Sequence, residues 1–313
     1  MRVLVTGGTG FLGSAIVRAL ASRGHQPIAF ARSSPAGASG TATVRGDVRN
    51  RADLAAAVRG CDAVIHSAAL VAVGRPRRAD FDEINVGGLE NVLALAASGQ
   101  VRRIVYTSSF LALPPAGADQ PVRLNDYQRT KVIADGVARA AAAAGAPIVT
   151  VYPGVIYGAG PLTEGNLLGR SIADHLARRL PGVIGADRTW SFAFVDDVAM
   201  GHVAALESGT IGARYHLGGE NLPQMRPFEI VRERTGRRLP RRIPFAVAAA
   251  LGLAEQARAR VTASVPLLTL GTARILSHDW PLDSTLAVRD LGYQPRPLAQ
   301  GLDSVLQALR PAG

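Results

Sequence analysis

The chain carries one lysine, Lys131, among thirty-four arginines. A protein that meets almost every need for positive charge with arginine keeps lysine where arginine fails. The ammonium is compact, sits on a thin stem and reaches one oxygen in a tight site, whereas the guanidinium is wide, planar and donates in a fixed fork. Cysteine is equally scarce. The single Cys61 excludes an internal disulfide framework and, without partners, a cysteine-based metal site, so no metal is expected. Its surroundings, Gly60-Cys61-Asp62, read as the turn into a strand. Long apolar runs are missing too. The most apolar stretch, Ile243 to Ala254, is about twelve residues, short of the roughly 18 to 20 that a spanning helix needs. The N-terminus opens directly on a strand, so no leader is expected, and a cytoplasmic protein without a membrane partner is the default.

The net charge of +11 could signal a nucleic-acid surface, but the arginines are scattered. Their densest group, Arg232 to Arg242, has no interleaved aromatics on which bases could stack. No nucleic-acid partner is expected; an anionic cofactor or substrate accounts for the balance more simply. At 313 residues with 48% apolar content, the chain can form one large or two intimate domains around a substantial core.

The first half alternates short β-rich and helical runs. Strands are expected at Arg2 to Thr6, Pro27 to Ala31, Thr41 to Arg45, Ala63 to His66, Arg103 to Thr107 and Pro147 to Tyr152. Helices fall between them at about Phe11 to Ser22, Asp53 to Arg59, Asp80 to Ala97 and Asp126 to Ala144. This alternation predicts an α/β fold, a Rossmann-type doubly wound parallel sheet with helices on both faces. Beyond Tyr157 the alternation breaks. A helix is expected over Ser171 to Leu180 and a strand over Trp190 to Val195, with Asp196 and Asp197 as N-cap candidates for a helix to Glu207. From Gly218 the pattern is helical with proline interruptions. The expected division is a dinucleotide-binding domain at 1–157, rejoined by 190–217, and a smaller, mostly helical substrate region from 158–189 and 218–313.

Two local patterns carry chemistry. Thr6-Gly7-Gly8-Thr9-Gly10-Phe11-Leu12-Gly13 follows a strand and opens a helix, with glycines at 7, 10 and 13. Such a turn lets a pyrophosphate approach the backbone at a helix N-terminus. Tyr127 and Lys131 stand four residues apart and share one helical face. A nearby cation favours phenolate and lowers a tyrosine pKa that ordinarily lies near about 10.

These stretches, with GDV at Gly46 to Val48, HSAA at His66 to Ala69, TSS at Thr107 to Ser109, YPGVIYG at Tyr152 to Gly158 and FVDDVA at Phe194 to Ala199, resemble an extended short-chain dehydrogenase/reductase of the NAD-dependent epimerase/dehydratase superfamily. The sequence is closest in character to its dihydroflavonol-reductase and hydroxysteroid-dehydrogenase-like branch. The motifs come in family order over nearly the whole chain. They are specific for the superfamily and poorly specific for substrate.

The resemblance implies cofactor contacts from Gly7, Gly10, Phe11, Leu12, Gly13, Asp47, Val48, Ala68, Ala69 and Pro153, with the Asp47 carboxylate on the adenine amino group. It implies Ser109 on the substrate oxygen, with Ser108 as the alternative. Tyr127 would be the general acid/base, and Lys131 would hold the nicotinamide ribose and lower the Tyr127 pKa. His66 is read as buried or ribose-adjacent and Asn85 as structural. The expected activity interconverts a carbonyl and a hydroxyl on a small or medium organic molecule. The rivals are a nucleotide-sugar epimerase or dehydratase and a cofactor-sensing regulator.

Two departures bear on the choice. Only eighteen positions separate Ser109 from Tyr127, so substrate identity does not carry over. Where nucleotide-sugar enzymes place a diphosphate-binding arginine, this chain shows Trp190, with Arg188 two residues away. Trp190 suits an apolar or aromatic substrate or is plain core. Arg32, at the tip of the second strand where NAD-specific folds carry an acid, points to NADP(H) over NAD(H) with help from Ser33 or Ser34. A homodimer through the helices at 80–97 and 126–144 is expected, with Ala138, Ala141 and Ala142 allowing close approach or else packing on their own sheet.

Overall fold

A computed structural model describes residues 1–33, 42–71, 77–99, 101–262 and 264–310. Its first half runs β1 (Arg2–Thr6), α1 (Phe11–Ser22), β2 (Gln26–Ala31), β3 (Ala42–Arg45), α2 (Arg51–Ala57), β4 (Ala63–His66), α3 (Arg78–Phe81), α4 (Gly88–Ala97), β5 (Arg103–Thr107), α5 (Asp126–Ala143) and β6 (Ile148–Pro153). The second half continues with β7 (Val155–Tyr157), α6 (Leu167–Leu176), β8 (Val183–Ile184), β9 (Thr189–Phe194), α7 (Val195–Glu207) and β10 (Arg214–Leu217). It closes with β11 (Glu220–Pro223), α8 (Arg226–Thr235), β12 (Arg242–Ile243), α9 (Phe245–Thr262), α10 (Leu270–Leu276), α11 (Thr285–Leu291) and α12 (Leu298–Ala308).

Seven strands form one parallel sheet in the order β10-β6-β5-β4-β1-β2-β3. The central strands read as unbroken apolar runs because both faces are covered. On one face Ile16 and Leu20 of α1 meet Val198 and Val203 of α7; on the other, Leu54, Leu89, Val92 and Ala134 cover the strands. In register, Thr6 aligns with Phe30 on one side and His66 on the other, and His66 with Tyr106. Strand order reverses at β1 and β4, so a crevice opens between the loops that leave these two strands. A smaller sheet, β11-β9-β7, roofs this edge over a second apolar cluster that includes Phe110, Trp190, Phe228 and Trp280.

The expected helix from Asp80 to Ala97 is interrupted. Asp82–Gly87 forms a π-helical turn between α3 and α4. The widened turn lets Asn85 bond the Leu70 backbone and Thr130, while Gly88 lies close against Val48. Asp196 and Asp197 are not N-caps: α7 starts at Val195 with Phe194 as cap, and both acids lie in its first turn. There they face the positive end of the helix dipole, and Asp197 grips Arg296 at 2.7 Å. The helix expected from Ser171 to Leu180 lies earlier, at α6, and ends before Arg178, whose φ of 62° is left-handed. The C-terminal region is less purely helical than its pattern suggests, since β10 extends the main sheet and β11 joins the small one.

Candidate active site

The glycine turn is dictated by close approach. Gly7 has φ 71°, and a Cβ there would lie 2.9 Å from Ala68 Cα. A Cβ on Gly13 would run into the Gly7 carbonyl oxygen. Gly10 caps α1 with no side-chain hydrogen bond, and Ser14 N donates to Gly10 O at 2.9 Å. The amides of Phe11, Leu12 and Gly13 therefore come before the helical ladder, at the positive end of the helix dipole. Phe11 is buried and Leu12 packs against the α1–α7 core.

Thr6 ties the turn to the loop after β4. Its Oγ1 meets His66 Nδ1 at 2.8 Å and accepts from Ala68 N, while Ser67 Oγ donates to the Thr6 carbonyl at 2.7 Å. Ala68 and Ala69 are part-buried on this loop, and Pro153 ends β6 in the interior. Burial, with the nearby Lys131 charge adding to it, pulls His66 down to about 3 and keeps it neutral. Its Nε2 is buried without a hydrogen-bond partner among the described residues.

At the far end of the crevice Asp47 is held by Arg49, whose guanidinium lies 2.6 Å away and keeps the carboxyl below its usual range. Arg32 also lowers it from nearby, so the two groups share this corner. Arg32 and Ser33 are exposed, and Ser34 lies outside the described residues. Val48 is buried, and its carbonyl accepts from Asn91.

Helix α5 carries the chemistry. Asn125 caps it through a 2.8 Å bond from Gln128 N, which fixes Tyr127 and Lys131 in successive turns on one face. Lys131 is buried, donates from Nζ to the Thr107 carbonyl at 2.9 Å and lies 5.5 Å above the Tyr106 ring. Burial pulls it down to about 8, opposed by the Asp135 charge. Tyr127 is part-buried against an apolar cluster with Phe110, Leu113, Val122 and Leu124. The expected lowering of its phenol is not found in this arrangement. Burial pushes it up, a hydrogen bond with the Ser109 side chain opposes that, and the Lys131 ammonium is engaged with Thr107.

The two serines diverge. Ser109 caps the short turn Phe110–Ala112 by accepting from Leu111 N and meets Tyr127. Ser108 instead donates to Asp135 Oδ1 at 3.3 Å. Of the two serines, Ser109 is the one near enough to the Tyr127 phenol to act on it, while Ser108 is turned to Asp135.

Two contributors were not found in the sequence. Asp135, four residues beyond Lys131, accepts from Tyr152 Oη at 2.5 Å, while Arg214 Nε donates to the same Oη at 2.7 Å. The i+4 spacing from Lys131 was the available signal. Arg49 is the other, and its signal was its place two residues after Asp47. Trp190 is core: Nε1 donates to His278 O at 3.0 Å and the ring packs edge-on to Phe110. Arg188 does not replace it, because it lies outside paired with Asp279 at 3.1 Å. Asn85 is structural, as its bonds to Leu70 and Thr130 show. Among the described residues, no group of three or more His, Cys, Asp or Glu could hold a metal.

The glycine cradle, the α1 N-terminus without a side-chain cap and the His66 Nε2 with no partner among the described residues fit a pyridine dinucleotide lying along the crevice. Residues 3–218 match the model of the NAD-dependent epimerase/dehydratase family. The chain belongs to this family. Within it, the chain is an oxidoreductase of the extended short-chain dehydrogenase/reductase type that uses a pyridine nucleotide. It is 30% identical over 311 residues to sterol demethylase protein B of Methylococcus capsulatus, with 94% of each chain covered. It is 33% identical over 332 residues to the 4-hydroxy-2-methyl-3-oxo-4-farnesyl-3,4-dihydroquinoline-1-oxide ketoreductase of Stigmatella aurantiaca, covering 100% of this chain and 98% of the relative. The crystal structure of gox2253 superposes with a TM-score of 0.81 at 28% identity, over 98% of this chain and 97% of that one.

Proposed function

We propose that this enzyme reduces a carbonyl on an apolar organic molecule to the alcohol, drawing on NADPH in preference to NADH. The observation that carries the reading is that α5 carries Tyr127 and Lys131 on one face, with Ser109 near the phenol and Tyr127 packed on an apolar cluster that includes Phe110. The bound dinucleotide supplies the hydride. Ser109 and Tyr127 hold the carbonyl oxygen between two hydroxyl donors, which orients the carbon and stabilises the charge growing on that oxygen. Tyr127 then gives its phenolic proton to the oxygen as general acid. A phenol raised by burial stays protonated at neutral pH, the state that reduction requires. Lys131, one turn along the same helix and fixed by Thr107, is the residue that would hold the nicotinamide ribose. The relatives' names, a sterol demethylase protein and a farnesylated-quinoline ketoreductase, support an apolar substrate.

The nucleotide-sugar reading needs a cation for a substrate diphosphate. The position that would supply it holds Trp190, closed into the core, and Arg188 is turned away to Asp279. Cofactor oxidation should be followed with a series of lipophilic ketones and with nucleotide sugars. Ketone-dependent oxidation of NADPH is expected. Nucleotide-sugar conversion by protein carrying tightly bound NAD, with no ketone turnover, would overturn the proposal.

A further inference from the structure

Helix α9 is held on one side only. Ala248 and Gly252 are buried, with Gly252 against Thr269 and Leu270, while Glu255 and Gln256 accept from the amides of Leu267 and Leu270. The rest of the helix presents large apolar side chains to solvent: Phe245, Val247, Leu251 at 51% exposed, Leu253 at 56% and Val261 at 87%. Leu267, in the segment leading to α10, is 85% exposed. Scattered apolar side chains on a surface are ordinary, but Val247, Leu251 and Val261 fall on one side of α9 by helical spacing, with Leu267 in the segment that follows, and such a set marks an interaction face, whereas Phe245 and Leu253 lie off it.

The charge around this face is one-sided. Residues 232–274 contain nine arginines against two glutamates, a net charge of +7 out of +11 for the whole chain. Arg242 pairs with Asp187 and Arg258 with Glu255. Arg238, Arg241, Arg260 and Arg274 are exposed and have no acidic partner among the described residues. Arg238 and Arg241 precede α9 in the chain, Arg260 lies in its last turn and Arg274 in the last turn of α10. An apolar helix face bordered by unpaired cations is complementary to an anionic lipid headgroup layer over hydrocarbon. No helix among the described residues is long and apolar enough to cross a membrane, so attachment would lie in the interface.

We propose that α9 and the segment to α10 dock this enzyme on an anionic lipid surface. The short apolar run that argued against a membrane partner speaks only against a spanning helix. The docking face adjoins the candidate site: Gly271 of α10 lies directly against the Leu124 carbonyl, and the next residue, Asn125, caps the helix that carries Tyr127. Docking turns this side of the cleft toward the bilayer, where an apolar carbonyl compound concentrates. Entry of substrate from the lipid rests on the carbonyl-reductase reading; the docking itself does not.

The test is co-sedimentation of the full chain with vesicles of phosphatidylcholine alone or mixed with phosphatidylglycerol. Pelleting with the anionic vesicles, weakened by salt, is expected. Leu251→Glu and Leu267→Glu should each lower partitioning ~10-fold, and Arg238→Ala or Arg241→Ala a smaller ~5-fold. All four sites are exposed, so melting temperature and turnover of a water-soluble ketone should be unchanged. Absence of pelleting, or pelleting insensitive to lipid charge and to these variants, would overturn the docking. So would a dimer in solution that Leu251→Glu dissociates while vesicle binding is absent, because the face would then be a contact between copies. Ketone turnover without vesicle binding would sink the docking alone, and vesicle binding without ketone turnover would sink only the reading of the site.

Discussion

Replacing Lys131 by methionine should abolish turnover and yet leave the fold as stable as before, or more so. The ammonium is buried, and burial pulls its pKa from 10.5 to about 8. Holding the charge inside at neutral pH therefore opposes folding by about 3 kcal/mol, taking ~1.4 kcal/mol per unit. The bond to the Thr107 carbonyl and the contact with the Tyr106 ring offset part of this, at about 1.5 to 3 kcal/mol for a charged hydrogen bond. Methionine has a similar length and no charge, so the net gain is about 0 to 1 kcal/mol, or up to roughly 2 to 4 °C in melting temperature.

The pH dependence gives the sharper sign. Between about 8 and 10.5 the unfolded lysine binds a proton that the folded one has lost. Wild-type stability relative to Lys131→Met must then rise with pH across that window, by up to ~1.4 kcal/mol per unit, and stay flat below it. Thermal melts of both proteins from pH 7 to 10.5 measure this difference. A variant several degrees less stable at pH 7, or a difference that does not change with pH, would refute the reasoning.

Arg32→Ala should weaken NADPH binding ~10-fold or more and leave NADH little changed, because only the 2′-phosphate gains from the guanidinium; calorimetric titration of both cofactors checks it, and tighter NADH binding by the wild type would count against it. Asp135 supports the Lys131 charge, so Asp135→Asn should move the alkaline limb of the activity profile ~1 unit toward acid; an unchanged limb in a pH–rate profile would mean that Asp135 serves only the fold. A homodimer is expected through the outer faces of α4 and α5, where Ala141 is part-exposed, although Ala138 is buried against its own sheet and Ala142 packs on the same core; light scattering at micromolar concentration should give twice the chain mass, and a monomer would exclude it.

What could be read from the sequence was what is local. The glycine turn announces itself because the collisions at Gly7 and Gly13 arise within one strand–turn–helix unit. Tyr127 and Lys131 share a face through helical spacing alone. The parallel sheet followed from strands alternating with helices. The rest depends on neighbours remote in sequence. Nothing adjacent to Ser108 and Ser109 tells which meets Tyr127; the choice is made by Asp135, which draws Ser108 away. The Trp190 environment is set by Phe110 and by the His278 carbonyl, far along the chain. Strand β11, Glu-Asn-Leu-Pro, has no strand-like composition and exists because β9 offers it an antiparallel edge. The Tyr127 pKa went the other way from the sequence expectation because a four-residue spacing cannot show that Lys131 reaches down to Thr107.

The most direct measurement of the central claim is turnover of a ketone by Tyr127→Phe beside its affinity for NADPH. The substitution removes one oxygen at a part-buried ring, so folding and cofactor affinity should be preserved. Turnover should fall by about 10² to 10⁴-fold, the usual worth of a positioned general acid. A variant that binds NADPH normally and keeps more than a tenth of wild-type turnover would contradict Tyr127 as the proton donor and the mechanism built on it.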